Sequence, residues 1–116
     1  MEEQIYDYLM NNCAGYNNRI KAYKLMQMFN IKDHKTFRSK IQKIRQNKQF
    51  KKIVGSEAGK HGGYWIIANE NEFQETMFHL RARSDEMKKT CDIIDDKWNE
   101  LQNEVNLWMQ KIWKKY

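Results

Sequence analysis

From Asn69 to Tyr116 the chain contains neither glycine nor proline. Along that stretch the positions Phe73, Met77, Leu80, Ser84, Met87, Cys91, Ile94, Trp98, Leu101, Val105, Trp108 and Ile112 fall at alternating spacings of four and three, and only Ser84 is polar. A stripe of that period, held for more than five heptads, is helical and cannot lie on one face of a strand. Asn69 with Glu72 three residues on has the form of a capping box. Helical throughout, the segment would span roughly 70 Å. A small domain cannot cover that length, so much of the stripe needs another helix.

Self-association is the expected supply, with Met77, Leu80, Met87, Cys91, Ile94, Trp98, Leu101, Val105, Trp108 and Ile112 at the seam. The seam is irregular for a leucine zipper. Two indoles are bulky for a two-stranded parallel core, and a parallel dimer would oppose Arg83 and Lys88. Antiparallel pairing stays open, as does a helix broken near Ser84-Asp85-Glu86 and folded back, with Ser84 capping a second helix. The end is broadly apolar, with Leu107, Trp108, Met109, Ile112, Trp113 and Tyr116, which suits a dimer centre or a docked protein. The tail is nearly neutral, which argues against a membrane-surface helix.

Charge separates the two parts of the chain. Of the formal net charge of +6, residues 1–70 hold 13 Lys/Arg against 6 Asp/Glu, and residues 71–116 hold 8 against 9. The excess therefore belongs to the front, and it points to a polyanionic partner. The boundary is placed at 68/69, giving a domain over 1–68 and a long amphipathic helix over 69–116.

In the front part, a helix is expected over Glu2–Asn12, with Ile5, Tyr8 and Leu9 as its apolar face. Cys13 to Asn18 reads as a turn, and Arg19-Ile20 as a very short strand. A second helix over Lys21–Phe29 has Ala22, Leu25, Met26 and Phe29 on one side. Asn30 stands where a helix end favours positive φ, and Asp33 is a suitable N-cap for a third helix reaching Lys48. Helix, short turn and capped helix make a helix-turn-helix arrangement.

On the third helix Phe37, Ile41 and Ile44 form the buried stripe. The opposite face carries Lys35, Ser39, Gln42 and Gln46, flanked by Thr36 and Lys43, with no carboxylate. From Lys32 to Lys52 there are nine Lys/Arg and one acid, Asp33. Donors and hydroxyls without acids are what base edges and phosphates require. An ordinary solvated face is the plainer alternative.

A strand over Phe50–Val54, a turn from Gly55 to Gly63 and a strand over Tyr64–Ile67 would form a hairpin with Lys60 and His61 near its tip. The run GSEAGKH is not a phosphate loop. Three residues separate its glycines, His follows the Lys, and it joins two strands.

Thr36-Phe37-Arg38, Ile41, Ile44-Arg45, Ile53 and Gly63-Tyr64-Trp65, in that order, resemble the winged helix-turn-helix pattern of small bacterial transcription regulators. End to end, the chain resembles short bacteriophage and prophage proteins in which such a domain precedes a long polar helix. The implied fold is mainly α with a small β-hairpin, a winged helix-turn-helix followed by a long coiled-coil-like C-terminal helix. The implied function is non-enzymatic binding of double-stranded DNA, as a transcriptional or replication regulator and as a homodimer. The contact residues would be Lys32, Lys35, Thr36, Arg38, Ser39, Gln42, Lys43, Lys60 and His61. In such domains Arg38 and Arg45 lie on the flanks of the recognition helix, suited to phosphate contact or a structural salt bridge. The alternative is a mobile-element inhibitor that binds a host protein, such as a nuclease or a CRISPR-type defence complex, through the same basic surface or the aromatic tail.

Catalysis has little support. His34, His61 and His79 are scattered, no metal motif occurs, and Cys91 falls on the apolar seam. No cofactor is expected. The acidic, polar start is unlike an export signal, and two distant cysteines form no disulfide framework, so a cytoplasmic location is expected.

Overall fold

The computed structural model describes the backbone of residues 1–81 and 85–115 and the side chains of 1–81 and 87–104. Among the described residues it is mainly helical, with one two-stranded antiparallel sheet. The elements are α1 (Glu2–Asn12), a 3-10 turn (Tyr16–Asn18), α2 (Ala22–Met28), α3 (His34–Gln46), β1 (Val54–Glu57), β2 (Gly63–Ile66), α4 (Glu70–Arg81) and α5 (Asp85–Lys115).

Local chemistry sets the helix ends. Asn30 adopts φ 54°, and the amide of Ile31 returns to the carbonyl of Met26 at 2.8 Å, closing α2 and turning Ile31 into the core. Asp33 then caps α3. Its carboxylate accepts from the Thr36 amide and the Thr36 hydroxyl, both at 2.7 Å. At α4, Glu72 and Asn69 satisfy one another, with Glu72 N donating to Asn69 Oδ1 at 3.0 Å and Ala68 N donating to Glu72 Oε1 at 3.1 Å.

The first core joins α1, α2, α3 and the sheet through Ile5, Leu9, Leu25, Phe37, Ile41, Ile44 and Val54, all essentially inaccessible. Burying a side chain of that kind stabilises by about 1.5–3 kcal/mol. The sheet pairs Val54 with Ile66, Gly55 with Trp65, Ser56 with Tyr64 and Glu57 with Gly63. Ile20 adds a third, one-residue bridge to Tyr64, as the short strand at Arg19-Ile20 anticipates. β1 begins at Val54, four residues later than expected, and the turn shrinks to 58–62. Phe50 is taken up by the Tyr6 ring at 4.7 Å instead of a strand partner. Gly55 enters the sheet because the Trp65 indole lies over it, 2.7 Å from where a Cβ would stand.

Of the arrangements open for 69–116, the described residues show two helices in place of one, and Ser84, the expected cap of the second, lies outside the described residues. α4 ends at Arg81, α5 starts at Asp85, and α5 folds back across α4. Phe73, Met77, Leu80, Cys91 and Ile94 are buried together with Ile53, and Met87 and Trp98 pack against them. Trp98 stacks on Phe73 with ring centroids 4.6 Å apart. The seam residues Met77, Leu80, Met87, Cys91, Ile94 and Trp98 therefore pack within the chain. Leu101 is half-buried. Val105, Trp108 and Ile112 belong to α5, but their side chains lie outside the described residues.

α5 also lies on α3. Gln46 donates to the Thr90 hydroxyl at 3.0 Å, and Lys97 donates to the Ile44 carbonyl at 3.1 Å. Polar contacts thus join α3 of the first core to α5 of the second. Among the described residues no helix is long and apolar enough to cross a membrane.

Candidate nucleic-acid interface

α3 is bounded on three sides. α1 lies along one edge, where Lys43 and Gln46 line a shallow depression with Met1, Glu2 and Glu3. β2 lies under the buried stripe, with the Tyr64 ring edge-on to Phe37 at 5.2 Å. α5 covers the C-terminal half near Gln42 and Gln46. What remains open is a strip bearing Lys35, Thr36, Arg38, Ser39 and Lys43, all exposed, with Lys32 exposed in the preceding turn.

These residues differ in what they can still offer. Thr36 has committed its hydroxyl proton to Asp33, so it can only accept a further bond. The same bonds, the amide first and the hydroxyl second, hold the Asp33 carboxyl below its usual range. The cap therefore keeps its charge, and α3 has no other acid. Lys43 stands near acid. The Glu2 carboxyl is held low first by its own backbone amide and further by Lys40, the N-terminal ammonium and Lys43. Gln42 is half-buried and faces α5 and the hairpin, so it is only partly available.

The hairpin tip is braced by two cations from a distant part of the chain. Arg19 Nε donates to the His61 carbonyl at 2.7 Å, and Lys21 Nζ donates to the Lys60 carbonyl at 2.8 Å. Arg19 also lies 4.0 Å over the Tyr16 ring, and Tyr16 hydroxyl donates to Glu57 Oε1 at 3.0 Å. Contacts that span 39 to 42 positions leave no periodic signal. The side chains of Lys60 and His61 stay exposed, and Lys24 lines the same groove as the tip. Of the α3 strip, Arg38 lines a space shared with Ala58 of the hairpin turn, while the tip itself lies against Arg19, Lys21 and Lys24.

Arg45 is structural. It is 6% exposed, and its Nε donates to the Val54 carbonyl at 2.9 Å while Nη2 donates to Ser56 Oγ at 2.8 Å. It ties the end of α3 to β1 and does not face outward. Among the described residues no group of three or more His, Cys, Asp or Glu side chains is gathered as a metal ion would require. Burial pushes the thiols of Cys13 and Cys91 up, which makes both poor nucleophiles.

Compared with known proteins, the chain matches no family model, no curated protein and no solved structure.

Proposed function

We propose that the protein is a non-enzymatic binder of duplex DNA, a winged helix-turn-helix whose α3 enters the major groove and whose hairpin follows the adjacent backbone. The observation that carries this reading is the α3 strip. Lys35, Arg38, Ser39 and Lys43 are all exposed on a helix that has no carboxylate of its own. Cationic and hydroxyl groups on such a strip supply phosphate affinity and base contacts together. The braced tip supports it, because a loop fixed by Arg19 and Lys21 loses little freedom when it meets phosphate. A regulator of transcription or replication in a mobile element is the class of role proposed. Cytoplasmic location and self-association through the heptad positions past Glu104 belong to the same proposal and rest on sequence spacing.

The test is fluorescence anisotropy with duplexes drawn from a random pool and from the DNA that encodes the protein. Enrichment of one sequence, with a footprint near one or two helical turns, supports the reading. Equal and weak binding to every duplex at physiological salt overturns it.

A second reading has one observation in its favour. Phe78 is 72% exposed on α4, with the neighbouring His79 ring edge-on to it at 5.6 Å. A protein partner, such as a host nuclease or defence complex, would use it. Failure of duplex binding together with co-purification that Phe78→Ser abolishes would favour that reading.

A further inference from the structure

We propose that α2 carries a binding surface for a single-stranded nucleic acid, with phosphates in the groove between α2 and the hairpin tip and an unstacked base in the depression between α2 and the start of α3. The inference goes beyond the duplex reading and does not rest on it.

The groove measures about 460 Å³ and is lined by Arg19, Lys21, Lys24 and Lys60, together with His61 and with no carboxylate. Arg19 and Lys21 direct hydrogen bonds to the carbonyl oxygens of His61 and Lys60, which leave both positive charges uncompensated. The Lys24 and Lys60 amines and the Asn17 amide, on the same wall, make no hydrogen bond or ion pair among the described residues. Four cations, two of them held in place and two free, suit a row of phosphates.

The depression measures about 370 Å³. Both volumes fall in the range of about 300–1,000 Å³ typical of ligand clefts. Met26 and Ile31, both buried, supply its apolar floor, and Tyr23 stands on its rim, 55% exposed. The amides of Gln27 and Asn30 and the imidazole of His34 line it without a side-chain hydrogen bond among the described residues. Lys32 completes the edge, and the adjacent Asp33 is committed to capping α3 through Thr36.

One helix joins the two hollows. At about 100° per residue, Gln27 stands between Lys24 and Tyr23 around α2, and all three are exposed. The groove and the depression therefore open on neighbouring sides of α2. Phosphates alone would suit a duplex equally well, and Tyr23 decides between the two. In a duplex the base faces are stacked on one another, so a free aromatic ring gains a partner only from a base outside the stack. The amides and the imidazole can then bond to the edge of that base. A cationic groove beside an exposed aromatic ring is the arrangement by which single strands are held.

The test is fluorescence anisotropy with labelled deoxy- and ribo-oligomers of about 12 nucleotides, titrated with the full-length protein across a range of salt, beside a duplex of equal length. Expected is saturable single-strand binding at physiological salt with a dissociation constant of about 100 µM or tighter. The tighter of the two oligomers identifies the sugar. Tyr23→Ala should weaken single-strand binding at least about fivefold and leave duplex affinity unchanged, and Tyr23→Trp should retain single-strand binding. Lys24→Ala should lower the single-strand slope of log affinity against log salt by about 0.7. Circular dichroism checks that each variant is folded. Absence of saturable single-strand binding, wild-type affinity in folded Tyr23→Ala, or equal weakening of duplex and single strand by that variant would overturn the proposal. Duplex binding without single-strand binding overturns this surface alone, and single-strand binding without duplex binding overturns only the duplex reading.

Discussion

Lys97 Nζ donates to the carbonyl oxygen of Ile44 across 3.1 Å, with Lys97 only 3% exposed. That bond fastens the α4–α5 hairpin to the end of α3. Burial first, and the Arg45 guanidinium second, push the Lys97 pKa down from 10.5 to about 8. Between those values the unfolded chain holds a proton that the folded chain has released, so the contribution to stability rises with pH. Below about 8 the folded protein bears the whole cost of the buried charge. Lys97→Met is expected to raise stability at pH 7 by about 1–2 kcal/mol, a figure discounted for water reaching the ammonium. The gain should shrink between pH 8 and 10. Urea unfolding of both proteins at several pH values checks this, and the difference between them removes the opposing contribution of the buried thiols. A less stable Lys97→Met at pH 7 would contradict it.

The Phe73–Trp98 stack closes the second core. Trp98→Ala should cost about 2–4 kcal/mol through lost burial and the cavity left behind. Amide exchange should rise across α4 and α5 more than across α1 to α3. Uniform loss of protection would mean that the two cores melt as one.

Thr76 is buried, and its Oγ1 has no hydrogen-bond partner among the described residues. Removing an unsatisfied hydroxyl relieves its desolvation cost. Thr76→Val should therefore be neutral or stabilising by about 1 kcal/mol in thermal unfolding. A loss of that size would show that the hydroxyl has a partner.

A Cβ at Gly62 would collide with the Glu57 carbonyl oxygen, and one at Gly63 would lie 2.7 Å from the Ile20 carbonyl oxygen. Gly62→Ala should cost about 1–3 kcal/mol by forcing the turn open. It should also weaken duplex binding, because Lys60 and His61 would lose the bracing from Lys21 and Arg19. Unchanged stability and binding would show that the tip geometry is irrelevant.

Local signals in the sequence were readable where one residue decides one feature. Asn30 predicts the end of α2 and has φ 54°, and Asp33 predicts the cap of α3. The stripe Phe37, Ile41 and Ile44 predicts the buried side of α3, and all three are inaccessible. β1 was misplaced because Gly55, Ser56 and Glu57 are poor strand formers, and only the distant Trp65 makes Gly55 suitable. The tail leaves its partner undecided for a related reason. A 4-3 spacing specifies a helical stripe but not whether its partner is another chain or the same helix folded back. Lys97 and Thr90 were invisible as contacts because only the return of α5 to α3 gives them partners. On the proposed interface, the exposure of Lys35, Ser39 and Lys43 is legible from helix phase, Arg38 enters only through the resemblance, and the bracing by Arg19 and Lys21 leaves no local signal.

The central claim is that the α3 strip contacts DNA. The most direct test is duplex affinity across a range of salt for the wild type and for Lys35→Ala combined with Lys43→Ala, with folding monitored by circular dichroism. Each phosphate contact contributes about 0.9 to the slope of log affinity against log salt. The account predicts a folded double variant that binds more weakly, with the slope smaller by about two. A folded double variant with wild-type affinity and slope would contradict it.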